Sequence, residues 1–339
     1  MHCGGRAGNS IGVCSGKSRF MSDFAQTLIT AIAIGSLYAL IALGYTMVYG
    51  ILKFINFAHS DIVVLGAWGS YSLAVKLMPA LGYSLDAVPP IWVAIIILIA
   101  AMAFCGAIGF TIERLAYRPL RRAPRLNVLI TAIGVSLLLQ NIGQLSFVFG
   151  ASPQDMPPLL SDRTLTTIAF SEGESAHQLV IGLVDVVIFA TATSLMLIMQ
   201  YLVFHTKLGV AMRAVSFNTE TAALMGIHVD RVVSFTFVLG STLAAAAGFL
   251  IVMKYPSISQ PAHTIWVLLG LKAFVAAVIG GIGNVRGAVL GGFVIAFVEQ
   301  FGAFYISSSY RDVYVFALLI LILLVKPSGL LGSPLREKV

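Results

Sequence analysis

The sequence predicts an all-α integral membrane protein, a polytopic bundle of about eight to ten transmembrane helices, on three observations. Of its 339 residues 58% are hydrophobic and 10% charged, where a soluble domain carries about 45–50% apolar and about 25% charged residues. The apolar residues gather into runs close to the roughly 20 residues that a helix needs to cross the hydrocarbon core. The loops between these runs alternate in charge. No length remains for a sizeable soluble domain, which excludes a globular enzyme, a disulfide scaffold and a disordered tail.

Residues 1–20 are rich in Gly and Ser and lack the apolar core of about 7 to 15 residues that a secretory signal requires. Met21 is followed almost at once by a long apolar segment, so 1–20 reads as a disordered extension or a misassigned start, and 21–339 as one transmembrane domain. Gly12, Gly16, Lys17 and Ser18 approach a phosphate loop but have three residues between the glycines where four are needed. If ATP matters, another subunit must bind it.

Membrane segments are expected near 24–49, 59–78, 89–112, 127–149, 179–204, 232–253, 265–282, 287–305 and 313–326. Nine full crossings put the amino terminus outside; one incomplete crossing puts it inside. The loop from Thr111 to Leu126 holds Arg114, Arg118, Arg121, Arg122 and Arg125 against Glu113, a net of +4, which the positive-inside rule assigns to the cytoplasm. The next loop, Gly150 to Gln178, holds Asp155, Asp162, Glu172 and Glu174 against Arg163, a net of −3. In register, 205–231, 284–286 and the tail from Lys326 are cytoplasmic, and 254–264 is external. The overall charge of +7 is thus a property of loop ends and needs no nucleic-acid partner.

Small residues four apart mark helix contacts, because lipid supplies no hydrophobic drive for helices to associate. Gly240, Ala244 and Gly248 form one such stripe, and Gly283, Gly287 and Gly291 another. Catalysis is unsupported: the chain has no H-E-x-x-H and no G-x-S-x-G, and Cys3, Cys14 and Cys105 make no metal pattern. No bound metal or cofactor is expected. Asn56, His59 and Asp61 are the densest polar cluster beside apolar spans. Two readings stand: pathway residues, since intramembrane ionisable groups are functional candidates, or an interfacial helix cap with Ser60 or Asp61 in the first turn.

The loop 205–231 is the most informative. Residues 219–225 read as a helix of about two turns, roughly 10 Å long, with Asn218 as cap, Glu220 favourably placed in the first turn and Gly226 at the end. Such a helix is too short to be stable alone. Docked in a groove of another protein it would offer Ala222, Ala223, Met225 and Ile227; Arg213 belongs to the same loop.

Several ordered blocks resemble the permeases of bacterial branched-chain amino acid ABC importers, the LivH-like subunit in particular: GSLYALIALGYTMVYGILKFINFAHSD at 35–61, IERLAYRPLR at 112–121, the loop 209–227 followed by HVDRVVSFTFVLG, LKAFVAAVIGGIGNVRGAVLGG at 271–292 and YRDVYVFALLILILLVKPSGLLG at 310–332. The resemblance covers nearly all of 21–339. It implies a multi-pass protein of the bacterial inner membrane, forming half of an alternating-access pathway. The implied partners are a second, LivM-like permease, two cytosolic ATPases carrying ATP and Mg, and a periplasmic protein that delivers leucine, isoleucine or valine. It also implies that 214–227 is the coupling element that docks on an ATPase, with TETAALMG standing where many importers have E-A-A-x-x-x-G. The alternatives are a permease for urea or short-chain amides, a stand-alone channel and a proton-coupled carrier.

Overall fold

The computed structural model describes residues 10–121, 123–161, 163–169 and 178–332. Arg122, Asp162, Glu172 and Glu174, counted in the loop charges, lie outside these residues, as do residues 1–9 of the expected extension. The helices are α1 (Ser10–Leu52), α2 (His59–Ala80), α3 (Ile91–Ile112), α4 (Arg125–Gly143), α5 (Leu183–His205), α6 (Lys207–Phe217), α7 (Thr219–Leu224), α8 (Val229–Lys254), α9 (Thr264–Gly280), α10 (Val285–Tyr305) and α11 (Arg311–Val325). Residues 10–20 are helical and continuous with the first span. Among the described residues, eight helices are long and apolar enough to cross a membrane, while α9 has 17 residues. At 1.5 Å per residue α9 reaches about 25 Å, short of the ~30 Å hydrocarbon core.

Tertiary contacts gather the connections at two ends. At one, Arg118 and Arg121 pair with Asp230, Arg213 and Arg286 both lie over the Phe204 ring, and Gly50 meets Gly283. At the other, β1 (Gln154–Asp155) pairs with β4 (Ser257–Ile258), Lys254 pairs with Asp185, and Trp68 Nε1 donates to the Ser259 carbonyl at 3.1 Å. The connections thus alternate between an arginine-rich end and the opposite end, as the loop charges require. One boundary differs. The span expected from 179 begins at Leu183, because Gln178–Gly182 (β3) pairs antiparallel with Thr164–Ala169 (β2), a Thr-rich stretch suited to a strand.

Helix α8 is the most enclosed element after α1. Gly240 approaches the Gly44 carbonyl of α1, Ala244 is fully buried, and a Cβ on Gly248 would overlap the Val63 carbonyl of α2. Gly109 of α3 lies against Ser241 in the same way. The second stripe is partly corrected. Gly287 and Gly291 press on the carbonyls of Gly280 and Ala276 in α9, but Gly283 lies in the turn before α10, at φ +95°. Asn284 Oδ1 caps α10 by accepting from Arg286 and Gly287, so the chain at Gly283 is already out of the helix. Gly280 takes its place in the contact.

These contacts make two glycines behave in opposite ways. Gly248→Val should destabilise the detergent-purified protein by at least about 1–3 kcal/mol through overpacking. Gly134→Ala, where an added Cβ meets nothing within 4 Å, should stabilise it by up to about 1 kcal/mol. Thermal unfolding midpoints of the two variants check both signs.

Candidate functional site

Asn56, His59 and Asp61 lie on a chain reversal. Helix α1 ends at Leu52, and Lys53 turns the backbone with φ +56°. The His59 ring nitrogen Nε2 nevertheless lies 3.2 Å from the Ile41 carbonyl oxygen, eleven residues back along α1, or about 16 Å at the helical rise. Residues 53–58 therefore run back beside α1, and α2 starts inside the bundle. Irregular backbone survives at such depth only when protein surrounds it, and the three side chains are 3%, 1% and 3% exposed. Tyr117 donates to Asn56 Oδ1 at 2.6 Å, from a π-helical turn (Glu113–Tyr117) that prolongs α3. Gln140 Nε2 of α4 donates to Asp61 Oδ1 at 2.9 Å.

Asp61 stands in the first turn of α2 as expected, but the capping expectation for this cluster is corrected. No side chain caps α2, whose N-cap is Ala58. None of the three residues lines any of four cavities of 240 to 750 Å³ in the chain. They form the joint that holds the returning segment. Tyr117→Phe should leave the buried Asn56 carbonyl without its donor and cost about 1–3 kcal/mol, read as a lower unfolding midpoint in detergent.

At the arginine-rich end the loop 205–231 folds into two helices. Thr206 caps α6 by accepting from Gly209 N at 3.1 Å, a helix that the sequence reading left out. Asn218 caps α7 as expected, its Oδ1 accepting from Glu220 and Thr221 at 2.9 Å each. The end of α7 is a Schellman turn: Gly226 N donates to Ala223 O and Ile227 N to Ala222 O, with Gly226 at φ +83°, where a side chain is unfavourable. Ala222 is buried against its own chain, so it is not a contact surface as expected. Glu220 and Ala223 are exposed, and the large outward groups are Phe217, Leu224 and Met225, at 93%, 87% and 80% exposure. Arg213 braces α6 on α5, its guanidinium 5.4 Å from the centre of the Phe204 ring.

Four residues link α7 to α8, and the start of α8 is clamped. Asp230 accepts from Arg118 at 2.5 Å and also from Arg121. Arg121 in turn pairs with the buried Glu113, which accepts from Ser234 at 2.5 Å. Sequence reasoning used these arginines only as orientation markers; Asp230, the partner they share, is more than a hundred positions away.

The opposite end holds a cavity of about 370 Å³ between α1, α9, α10 and α11. Lys272 Nζ stands 3.0 Å from Glu299 Oε1 and 2.6 Å from Asp312 Oδ1, and Tyr38 donates to Glu299 Oε2 at 2.8 Å. At the rim, burial raises the Tyr255 hydroxyl above its usual range, with Arg311 pulling the other way. Glu299 lies near the end of α10 and Lys272 in the middle of α9. Each is a lone charge in an apolar run, the signal that marks an intramembrane functional residue. Among the described residues no group of three His, Cys, Asp or Glu is placed to hold a metal ion.

A family model described as the branched-chain amino acid transport system / permease component matches residues 27–323. The chain belongs to this permease family. It is 39% identical over 317 residues to the high-affinity branched-chain amino acid transport system permease protein LivH of Salmonella typhimurium, covering 93% of this chain and 98% of that one. It is 40% identical, with the same coverage, to the corresponding protein BraD of Pseudomonas aeruginosa. A probable LivH of Methanocaldococcus jannaschii is 27% identical over 92% of this chain and 94% of its own. This branched-chain permease family member is a multi-pass transport subunit and not an enzyme.

Proposed function

We propose that this permease is one half of the pore of an ATP-driven importer for leucine, isoleucine and valine in the bacterial inner membrane. Its partners in this reading are a second, LivM-like permease, two cytosolic ATPases that hold ATP and magnesium, and a periplasmic amino-acid-binding protein. The observation that carries it is the dock at the arginine-rich end: a capped two-turn helix with Leu224 and Met225 exposed, beside Phe217, joined by four residues to the central helix α8. Apolar side chains of that size on a short helix gain stability when a partner groove covers them.

Closure of the ATPases on ATP moves α7, and the Arg118–Asp230 clamp and the buried Val232 and Val233 of α8 carry that displacement into the bundle, turning the pathway outward. Hydrolysis reverses it. Because the ATPases bind ATP differently in the two states, nucleotide shifts the population between them.

Affinity purification in mild detergent should recover the second permease and both ATPases. Vesicles made with them should take up labelled leucine only with ATP and the binding protein. Uptake by the lone chain, indifferent to ATP, would contradict the reading. Within the complex, Gly226→Pro imposes φ near −65° where the backbone needs +83° and deletes the N–H that bonds Ala223. ATP-driven uptake should fall about tenfold or more while the chain still reaches the membrane. Glu220→Lys, which places a cation at the start of α7, should reduce it less.

A further inference from the structure

Building on the importer reading, we propose that the cavity between α1, α9, α10 and α11 is a transient recognition site for the ammonium and carboxylate groups of a free aliphatic amino acid. Its wall divides by chemistry. Ile34, Leu37, Ile265 and Leu269 are among its apolar members, and Lys272, Glu299, Arg311 and Asp312 bring two charges of each sign. A zwitterion with an aliphatic side chain presents the same division. The volume of about 370 Å³ lies at the lower end of the ~300–1,000 Å³ usual for small-molecule sites.

Two groups on the wall have bonding capacity left over. Gln300 is 8% exposed, and its Nε2 is buried with no hydrogen-bond partner among the described residues; a buried donor of this kind ordinarily finds an acceptor. Arg311 is 45% exposed and its nearest charge contact, Nε to Glu299 Oε1, is 3.8 Å, beyond hydrogen-bond reach. A planar guanidinium and an amide N–H on the wall of one cavity suit a carboxylate. Asp312, 47% exposed and held through one oxygen by Lys272, is open to an ammonium.

The remaining charges explain why such a site would be transient. Lys272 already balances Glu299 and Asp312, and Tyr38 satisfies the second oxygen of Glu299, so the cluster is stable empty. An incoming zwitterion shares these partners and leaves none of them unpaired when it departs. The cavity also lies at the end opposite the dock, where a binding protein outside the membrane would release its load.

The test uses the assembled wild-type complex in vesicles, supplied with ATP, the binding protein and a photoactivatable diazirine analogue of leucine that the vesicles take up. After illumination, mass spectrometry should find label on peptides holding Ile34–Tyr38 or Ile265–Leu269, suppressed by excess leucine. Gln300→Leu and Arg311→Gln should each cut that labelling about tenfold with all partner subunits still co-purifying. Label only elsewhere in this chain or its partners, or undiminished labelling in both variants, would overturn the site. Loss of labelling together with loss of the partner subunits would also overturn it, since the cluster would then be a structural joint. Failure of the importer reading looks different: the wild-type complex itself would show no ATP-dependent leucine uptake.

Discussion

Backbone-to-backbone contact along α8 is the constraint on which the rest of the molecule depends. In a bilayer, apolar side chains gain nothing by leaving lipid for protein, so helices associate where small residues let many atoms meet at once. Gly240 against Gly44, Gly248 against Val63, and Ser241 against Gly109 place α1, α2 and α3 around one helix. Such contacts tolerate little change in length or rotation, which makes α8 a stiff element with fixed ends. One end follows the α7 dock; the other, through Ile251 and the adjoining Tyr255, reaches the cavity.

The returning segment 53–58 serves the same packing. If α2 began at the level where α1 ends, its small residues would lie out of register with those of α8. Starting α2 beside Ile41 sets Gly66 against Ala245 and Val63 against Gly248. The buried side chains of Asn56, Asp61 and His59 are then partnered by Tyr117, Gln140 and the Ile41 carbonyl respectively. A second irregularity, the turn between α9 and α10, is sealed by the chain near its carboxyl end: Leu330 and Leu331 donate to the carbonyls of Ile279 and Gly280, and Asn284 donates to Leu331. This second device pairs the orphan carbonyls at the end of α9.

The legible part of the sequence was the part governed by local chemistry. Run length gave the spans, loop charge gave their alternation, and Asn218, Glu220 and Gly226 marked α7, because caps and left-handed positions act within a few residues. What needed the fold was every pairing between helices. Spacing alone put Gly283 in a helix stripe because a glycine in a turn and one on a helix face look alike in a list of positions. The partners of Asn56, His59 and Asp61, namely Tyr117, the Ile41 carbonyl and Gln140, are 18 to 79 positions away and leave no local signal. Lys272 and Glu299 meet only because α9 and α10 form a hairpin closed by Gly280, Gly287 and Gly291. The strands β2 and β3 were missed because a short apolar stretch next to a span reads as more of the span.

A stiff central helix makes one claim above the others: the dock and the cavity move together. Proximity along a helix does not establish coupling by itself; both sites must bias one two-state element. The direct measurement replaces Cys3, Cys14 and Cys105, introduces Ser257→Cys at the exposed rim of the cavity, and follows its modification by a membrane-impermeant thiol reagent in the assembled transporter. The account predicts that the modification rate differs between nucleotide-free and ATP-trapped complexes, and that Gly226→Pro at the far end of α8 abolishes the difference. Equal rates in both nucleotide states, or a difference that survives Gly226→Pro, would contradict it.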